Sequence, residues 1–191
     1  MKTTLKFFGA VLALSILTTS CKKDDEENNQ NQQPTKTNAT VEIGGETLVF
    51  TQGIIENYGT DTSYHEGTNF DITLMTEDLN YMSPSAGSGA IVYFEMFSTG
   101  ESDIAPGVYT YDSVSLATNT FDQGLIASID EGAFGDYAYD VKSGTVTVDK
   151  TGNLYSINAE LDLFGFDFRN NETDTVSQSV NFTYVGELQM F

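Results

Sequence analysis

The chain holds one cysteine, one histidine, three prolines and no tryptophan. A single cysteine excludes an internal disulfide framework. Together with a lone histidine it also excludes a zinc site of the ordinary His/Cys type. Basic residues are scarce too, eight Lys and Arg against 28 Asp and Glu, for a formal charge of −20. A field of that sign repels phosphate backbones and anionic headgroups, so nucleic acid and direct adsorption to a membrane surface are disfavoured. Nor is there an apolar run of the ~20 residues that a membrane-spanning helix needs. No catalytic, metal or nucleotide motif stands out.

The first segment that is present is a leader. Lys2 and Lys6 precede an apolar run of eleven residues, Phe7 to Leu17, followed by small residues up to Cys21. A basic start, a short apolar stretch and a small-residue exit read as a secretory signal over residues 1–20, outside the fold. Leu17-Thr18-Thr19-Ser20-Cys21 resembles the lipobox of bacterial lipoproteins, with Thr18 where that motif usually carries Leu. The resemblance implies that Cys21 is lipidated on sulfur and becomes the new N-terminus, anchoring the chain to a membrane. The alternative is an ordinary cleaved signal with an incidental cysteine.

Lys22-Lys23-Asp24-Asp25-Glu26-Glu27 follows at once. It resembles the charged tag behind the lipidated cysteine of surface-exposed lipoproteins of the Bacteroidota, which implies export to the outer face of the outer membrane. Read instead as a plain solvated charge run, it would leave the protein on the periplasmic leaflet. Asn28 to Asn38 is polar and free of apolar residues, so the segment 21–38 reads as anchor, tag and disordered linker. As a coil it would hold the domain ~20–25 Å from the lipid. Loss of Lys2 and Lys6 with the leader takes the charge from −20 to −22, and only Lys142, Lys150 and Arg169 are basic beyond the linker.

Residues 39–191 suit one domain. Apolar residues recur with period two, which places one face of a strand on a core and the other in water. Tyr155, Ile157, Ala159, Leu161 and Leu163 alternate with polar residues, as do Val180, Phe182, Tyr184, Leu188 and Met190. Gly44-Gly45 and the Lys150–Asn153 stretch carry hairpin-turn residues. Ala90 to Phe97 is more continuously apolar and reads as a central strand covered on both faces. No segment repeats at three and four. About nine strands therefore predict an all-β domain, an antiparallel sandwich or open barrel. Ser143 to Leu188 also resembles the C-terminal half of small uncharacterised Bacteroidota lipoproteins, in its Gly-Thr-Val-Thr-Val, Tyr-x-Ile and Tyr-x-Gly-x-Leu segments. That resemblance implies the fold and no activity.

Candidate chemistry is sparse. His65 has Asp61, Ser63 and Glu66 beside it, but adjacency in sequence does not supply the geometry of a nucleophile and base. No cofactor is expected. Hard oxygen ligands for Ca²⁺ would be Asp130, Glu131, Asp136 and Asp140, or Asp162, Asp167 and Asp174, although neither set matches a calcium loop. Tyrosines offer the better binding surface: Tyr58, Tyr64 and Tyr81 fall in long polar connections, and Phe134, Tyr137 and Tyr139 in a glycine- and acid-rich stretch read as a loop. The expectation is a non-enzymatic lipoprotein that binds a glycan or protein through these residues. Tyrosines half-packed beneath loops are the plainer reading. A small hydrolase working through paired carboxylates is the alternative function.

Overall fold

The computed structural model describes residues 35–80, 82, 87–169 and 175–191, all within one compact unit. Cys21 and the tag Lys22, Lys23, Asp24, Asp25, Glu26 and Glu27 lie outside the described residues, as do Tyr81 and Asp174. The described chain is all β. In order it forms β1 (Ala39–Ile43), β2 (Glu46–Gly59), β3 (Thr68–Thr76), β4 (Ser88–Ser98) and β5 (Gly107–Tyr111). Then come β6 (Thr120–Asp130), β7 (Ala133–Thr151), β8 (Leu154–Asp167), β9 (Thr175–Gly186) and the short β10 (Gln189–Met190).

One sheet in the order β1-β2-β3-β4-β6-β5-β7-β8-β9 curls into a nearly closed barrel. Thr37, just ahead of β1, exchanges two backbone hydrogen bonds of 2.8 Å with Val185 of β9, and β10 pairs with β2 at Ile54 and Ile55. These contacts cover edges that would otherwise be open to other chains. Most pairs are antiparallel, as alternating faces and short turns dictate. The exceptions are β10 on β2 and β5 on β6, where β5 wedges between β6 and the second half of β7.

The period-two pattern becomes the inner wall. Ile157, Ala159 and Leu161 of β8 face Tyr184, Phe182 and Val180 of β9 in register, and all are buried. Asn158 and Glu160 on the opposite face are exposed. Filled by Phe50, Phe70, Phe94, Phe121, Tyr109 and Tyr139, the interior is packed core and not a channel. Gly44 and Gly45 take φ of +57° and +82°, the left-handed pair that a two-residue hairpin requires.

Two expectations change. Ala90, Val92, Phe94 and Met96 of β4 are buried as foreseen, but Ile91, Tyr93 and Glu95 are only half-buried, so the outer face of this strand is not covered. Met190 is 51 % exposed, because the chain leaves β9 at Gly186 and crosses to β2, which breaks the parity. Antiparallel alternation gathers the Gly44-Gly45 hairpin, the β3–β4 and β8–β9 connections and the β6–β7 turn at one end. The β2–β3 and β4–β5 connections and the β7–β8 turn lie at the other.

Candidate functional site

At the first of these ends a hollow of about 620 Å³ opens, walled by Glu46, Leu48, Thr76, Ser128, Tyr137 and Arg169. Register explains why it exists. Strand β2 meets β3 only from Phe50 opposite Thr76 onward, so the β1–β2 hairpin projects past β3. The backbone of Glu46–Val49 thus has no strand partner on that side among the described residues and presents amide donors and carbonyl acceptors to the hollow.

Tyr137 enters through an irregularity in the β6–β7 ladder between Ala127 and Ile129. Ser128 Oγ bridges the fault, accepting from the Tyr137 N–H at 3.0 Å and donating to its carbonyl at 3.4 Å. Over the Tyr137 ring lies the guanidinium of Arg169, its Cζ 4.7 Å from the centroid, a cation–π contact. Arg169 follows directly on β8, where Asp167 grips it in a forked pair: Nε donates to Oδ1 at 2.8 Å and Nη2 donates to Oδ2. Tyr139 donates its hydroxyl to the same Oδ2 at 2.9 Å. Nη1 sits 2.8 Å from Glu46 Oε2 as an ion pair, but its N–H groups find no aligned acceptor among the described residues.

The side chains of Arg169 and Asp167 are 16 % and 12 % exposed, so this is a largely desolvated pair. Hydrogen bonds from Arg169 hold the Asp167 carboxyl down at about 2, and Arg169 is raised in turn. Burial pushes the hydroxyls of Tyr137 and Tyr139 up to about 12, so both stay protonated donors at neutral pH. Beyond the wall Glu77, Asp78 and Asp136 are exposed at the rim of the hollow. The arrangement presents one guanidinium, a phenol and backbone amides inside an acidic rim. Among the described residues no nucleophile stands hydrogen-bonded to a base within it.

Of the tyrosines singled out in the sequence, the four that are described, Tyr58, Tyr64, Tyr137 and Tyr139, do not converge. Tyr137 and Tyr139 are not loop residues. They point inward from β7, 3 % and 0 % exposed, because the glycine- and acid-rich stretch alternates as a strand and only Glu131-Gly132 turn. Phe134 is 65 % exposed on the outer surface. Tyr58 and Tyr64, 64 % and 77 % exposed, lie at the opposite end of the barrel. His65 does not meet Ser63, whose hydroxyl is bonded to Asp61 Oδ1, and its ring stacks on Phe97 at 5.0 Å. That far end is tied shut by structural bonds. Lys150 and Tyr155 both reach Asp103, and Ser98 Oγ lies 2.9 Å from the Tyr109 hydroxyl.

The second calcium set fails on geometry. Asp162 lies on the outer face of β8 between Ser143 and Ser179, whereas Asp167 is turned to Arg169 and Tyr139, so a single ion cannot bridge them. Among the described residues no group of three His, Cys, Asp or Glu is placed to hold a metal. What sequence reasoning missed is Arg169 with its partners Glu46 and Asp167. The available signal was that Arg169 is the chain's only arginine. A guanidinium is the side chain suited to a buried forked pair, so a single one following an apolar strand invites that reading. A scan against family models finds no match to this chain, and searches of curated proteins and of solved structures find none either.

Proposed function

We propose that the chain is a lipid-anchored protein of the outer membrane, facing the cell exterior, whose β domain is a non-catalytic binding module. The anchor and the address rest on Cys21 and on the Lys22–Glu27 tag. The binding reading rests on one observation, the hollow of about 620 Å³ between the projecting β2 edge and the Tyr137–Arg169 pair. Concave sites with a few fixed polar groups at the mouth of a β-barrel are a preferred setting for small ligands.

The ligand that fits this chemistry is hydroxyl-rich and uncharged, such as the end of a neutral glycan. Its hydroxyls would donate to Glu46 and the free carbonyls of β2. They would accept from the Tyr137 hydroxyl and from the backbone amides of the projecting β2 edge. Glu77, Asp78 and Asp136 at the rim turn away anions, whereas a sugar loses nothing to them. The anchor is expected to keep such a module at the cell boundary, where soluble and cell-wall glycans pass.

A glycan array probed with the full mature protein tests this reading, with polysaccharide turnover assayed alongside. Retention of neutral glycans without turnover is the expected result. Turnover would replace it by the carboxylate-hydrolase alternative, and an array without any retained glycan would overturn the ligand class.

A further inference from the structure

A second surface lies on the outside of the barrel, away from the hollow. The register aligns side chains across β2, β3, β4 and β6 in rows. Glu56 stands opposite Asp71, Asp71 opposite Glu95, and Glu95 opposite Gln123, with Asp122 in the adjoining bulge. One step toward the hairpin end the rows turn apolar. Ile54 faces Thr73, Tyr93 faces Leu125, and Met75 faces Ile91, with Ile129 beyond. A groove of about 340 Å³ runs over this part, lined by Ile54, Met75, Leu79, Ile91 and Ile129 with Glu56 at its margin. On the outer side of β4, Ile91 and Tyr93 are therefore only half-buried although they are largely apolar. Two-sided hydrophobic strands are ordinarily covered on both faces.

We infer that this face docks a protein segment that carries aliphatic side chains for the groove and Lys or Arg for the acid row. Charge complementarity selects that occupant. Like charges directly opposite on neighbouring strands are destabilising, and a partner's cations relieve them. Two acceptor oxygens of the row, Asp71 Oδ1 and Asp122 Oδ1, and a third beside it, Asn69 Oδ1, are buried and have no donor among the described residues. Lysine and arginine supply only donors. Two of the donors nearby are already engaged: Tyr93 bonds Asp71 Oδ2 at 2.9 Å, and Asn69 Nδ2 bonds Glu95 Oε1 at 2.8 Å. An acidic, anion-rejecting face also excludes an anionic lipid surface as the occupant. The apolar half distinguishes the site from the general acidity of the molecule, since a basic chain without aliphatic side chains leaves the groove unfilled.

The probe is a synthetic peptide alternating lysine and leucine, compared with a lysine–serine and a glutamate–leucine peptide, titrated against the mature protein by calorimetry. The lysine–leucine peptide is expected to bind about tenfold or more tighter than either control, as steering by charge and apolar burial each contribute. Replacing Glu56, Asp71, Glu95 and Asp122 by Gln or Asn should weaken it about tenfold. Ile54→Thr with Ile91→Thr should do the same, both sites being outward and only half-buried, with thermal melts confirming the fold. Neutralising four acids elsewhere, Glu101, Asp149, Glu160 and Glu187, should leave the affinity unchanged. Equal loss in that control, or equal binding of the lysine–serine peptide, would reduce the effect to bulk charge and overturn the inference. A dimer of the protein alone that Ile91→Thr dissolves would make a second copy the occupant and overturn it too.

Discussion

Replacing Asp71 and Asp122 together by asparagine probes the outer acid row through stability. Burial pushes both carboxyls up to about 6 in the folded protein, against roughly 3.9 in an unfolded chain. Glu95 adds a like charge to each, while the Tyr93 hydroxyl bond partly opposes the rise at Asp71. A carboxyl with a raised folded value binds more protons folded than unfolded, so stability falls as pH climbs from about 4 to about 6. For an isolated, fully buried group a rise of this size would cost ~3 kcal/mol. Both carboxyls are partly exposed and coupled, and screening reduces the figure to about 1 kcal/mol each. Asp167 has the opposite sign: held near 2 by Arg169, it stabilises above about pH 4 and loses that contribution only in stronger acid. Being common to both proteins, it cancels in the comparison. Urea unfolding from pH 4 to pH 7 should thus show wild type losing on the order of 2 kcal/mol relative to D71N/D122N. A control that removes equal charge elsewhere, D149N/E160Q, should track wild type. If wild type and D71N/D122N run parallel through the window, the row is not electrostatically strained and the reasoning fails.

Further outcomes follow from the core, the hairpin and the anchor. Ile157→Ala and Phe182→Ala should each cost about 2–5 kcal/mol in urea unfolding, whereas Thr183→Ala and Asn158→Ala on the exposed face should cost about 0.5–1 kcal/mol for their shared hydrogen bond. Gly44→Ala should cost on the order of 1–2 kcal/mol for its left-handed φ alone. It should also disturb the candidate site, since a Cβ there would lie 1.7 Å from Arg169 Nη2, and calorimetry of Arg169-dependent binding checks this. Cys21→Ala should release the protein from the membrane fraction or leave an unprocessed precursor. External protease on intact cells should digest wild type and spare a variant with Asp24, Asp25, Glu26 and Glu27 changed to alanine. Equal protection of both would place the protein inside.

The all-β class, the Gly44-Gly45 hairpin and the inner faces of β8 and β9 were legible in the sequence because each depends on neighbours along the chain. Alternation at Tyr155–Leu163 needs no knowledge of what lies across the strand. The candidate site depends on register, which local pattern does not carry. Glu46, Asp167 and Arg169 meet only because the β1–β2 hairpin projects past β3 to the end of β8. The acid row has the same origin, since Glu56, Asp71 and Glu95 are unremarkable singly and become a row only when three strands are aligned. Tyr137 and Tyr139 were misread because Gly and Asp are frequent in loops. Here Asp136 and Asp140 stand on the exposed side of β7, and their alternation with the two buried tyrosines was the stronger signal. For Ala90–Phe97, apolar residues on both faces suggest burial on both faces, whereas Ile91 on the outer side lines an open groove.

The central claim is that the hollow beside Arg169 receives a neutral, hydroxyl-bearing ligand. Its most direct test is a calorimetric titration of the mature protein with a neutral oligosaccharide retained on the array and with the same sugar oxidised to its uronic acid. The neutral form should bind about tenfold or more tighter, because the rim acids repel the carboxylate. Tyr137→Phe, which removes one hydroxyl and leaves the packing, should weaken the neutral sugar roughly 2- to 10-fold, the worth of one hydrogen bond. Equal affinity for the acid form, or an unchanged affinity in Tyr137→Phe, would contradict the assignment of this hollow as the binding site.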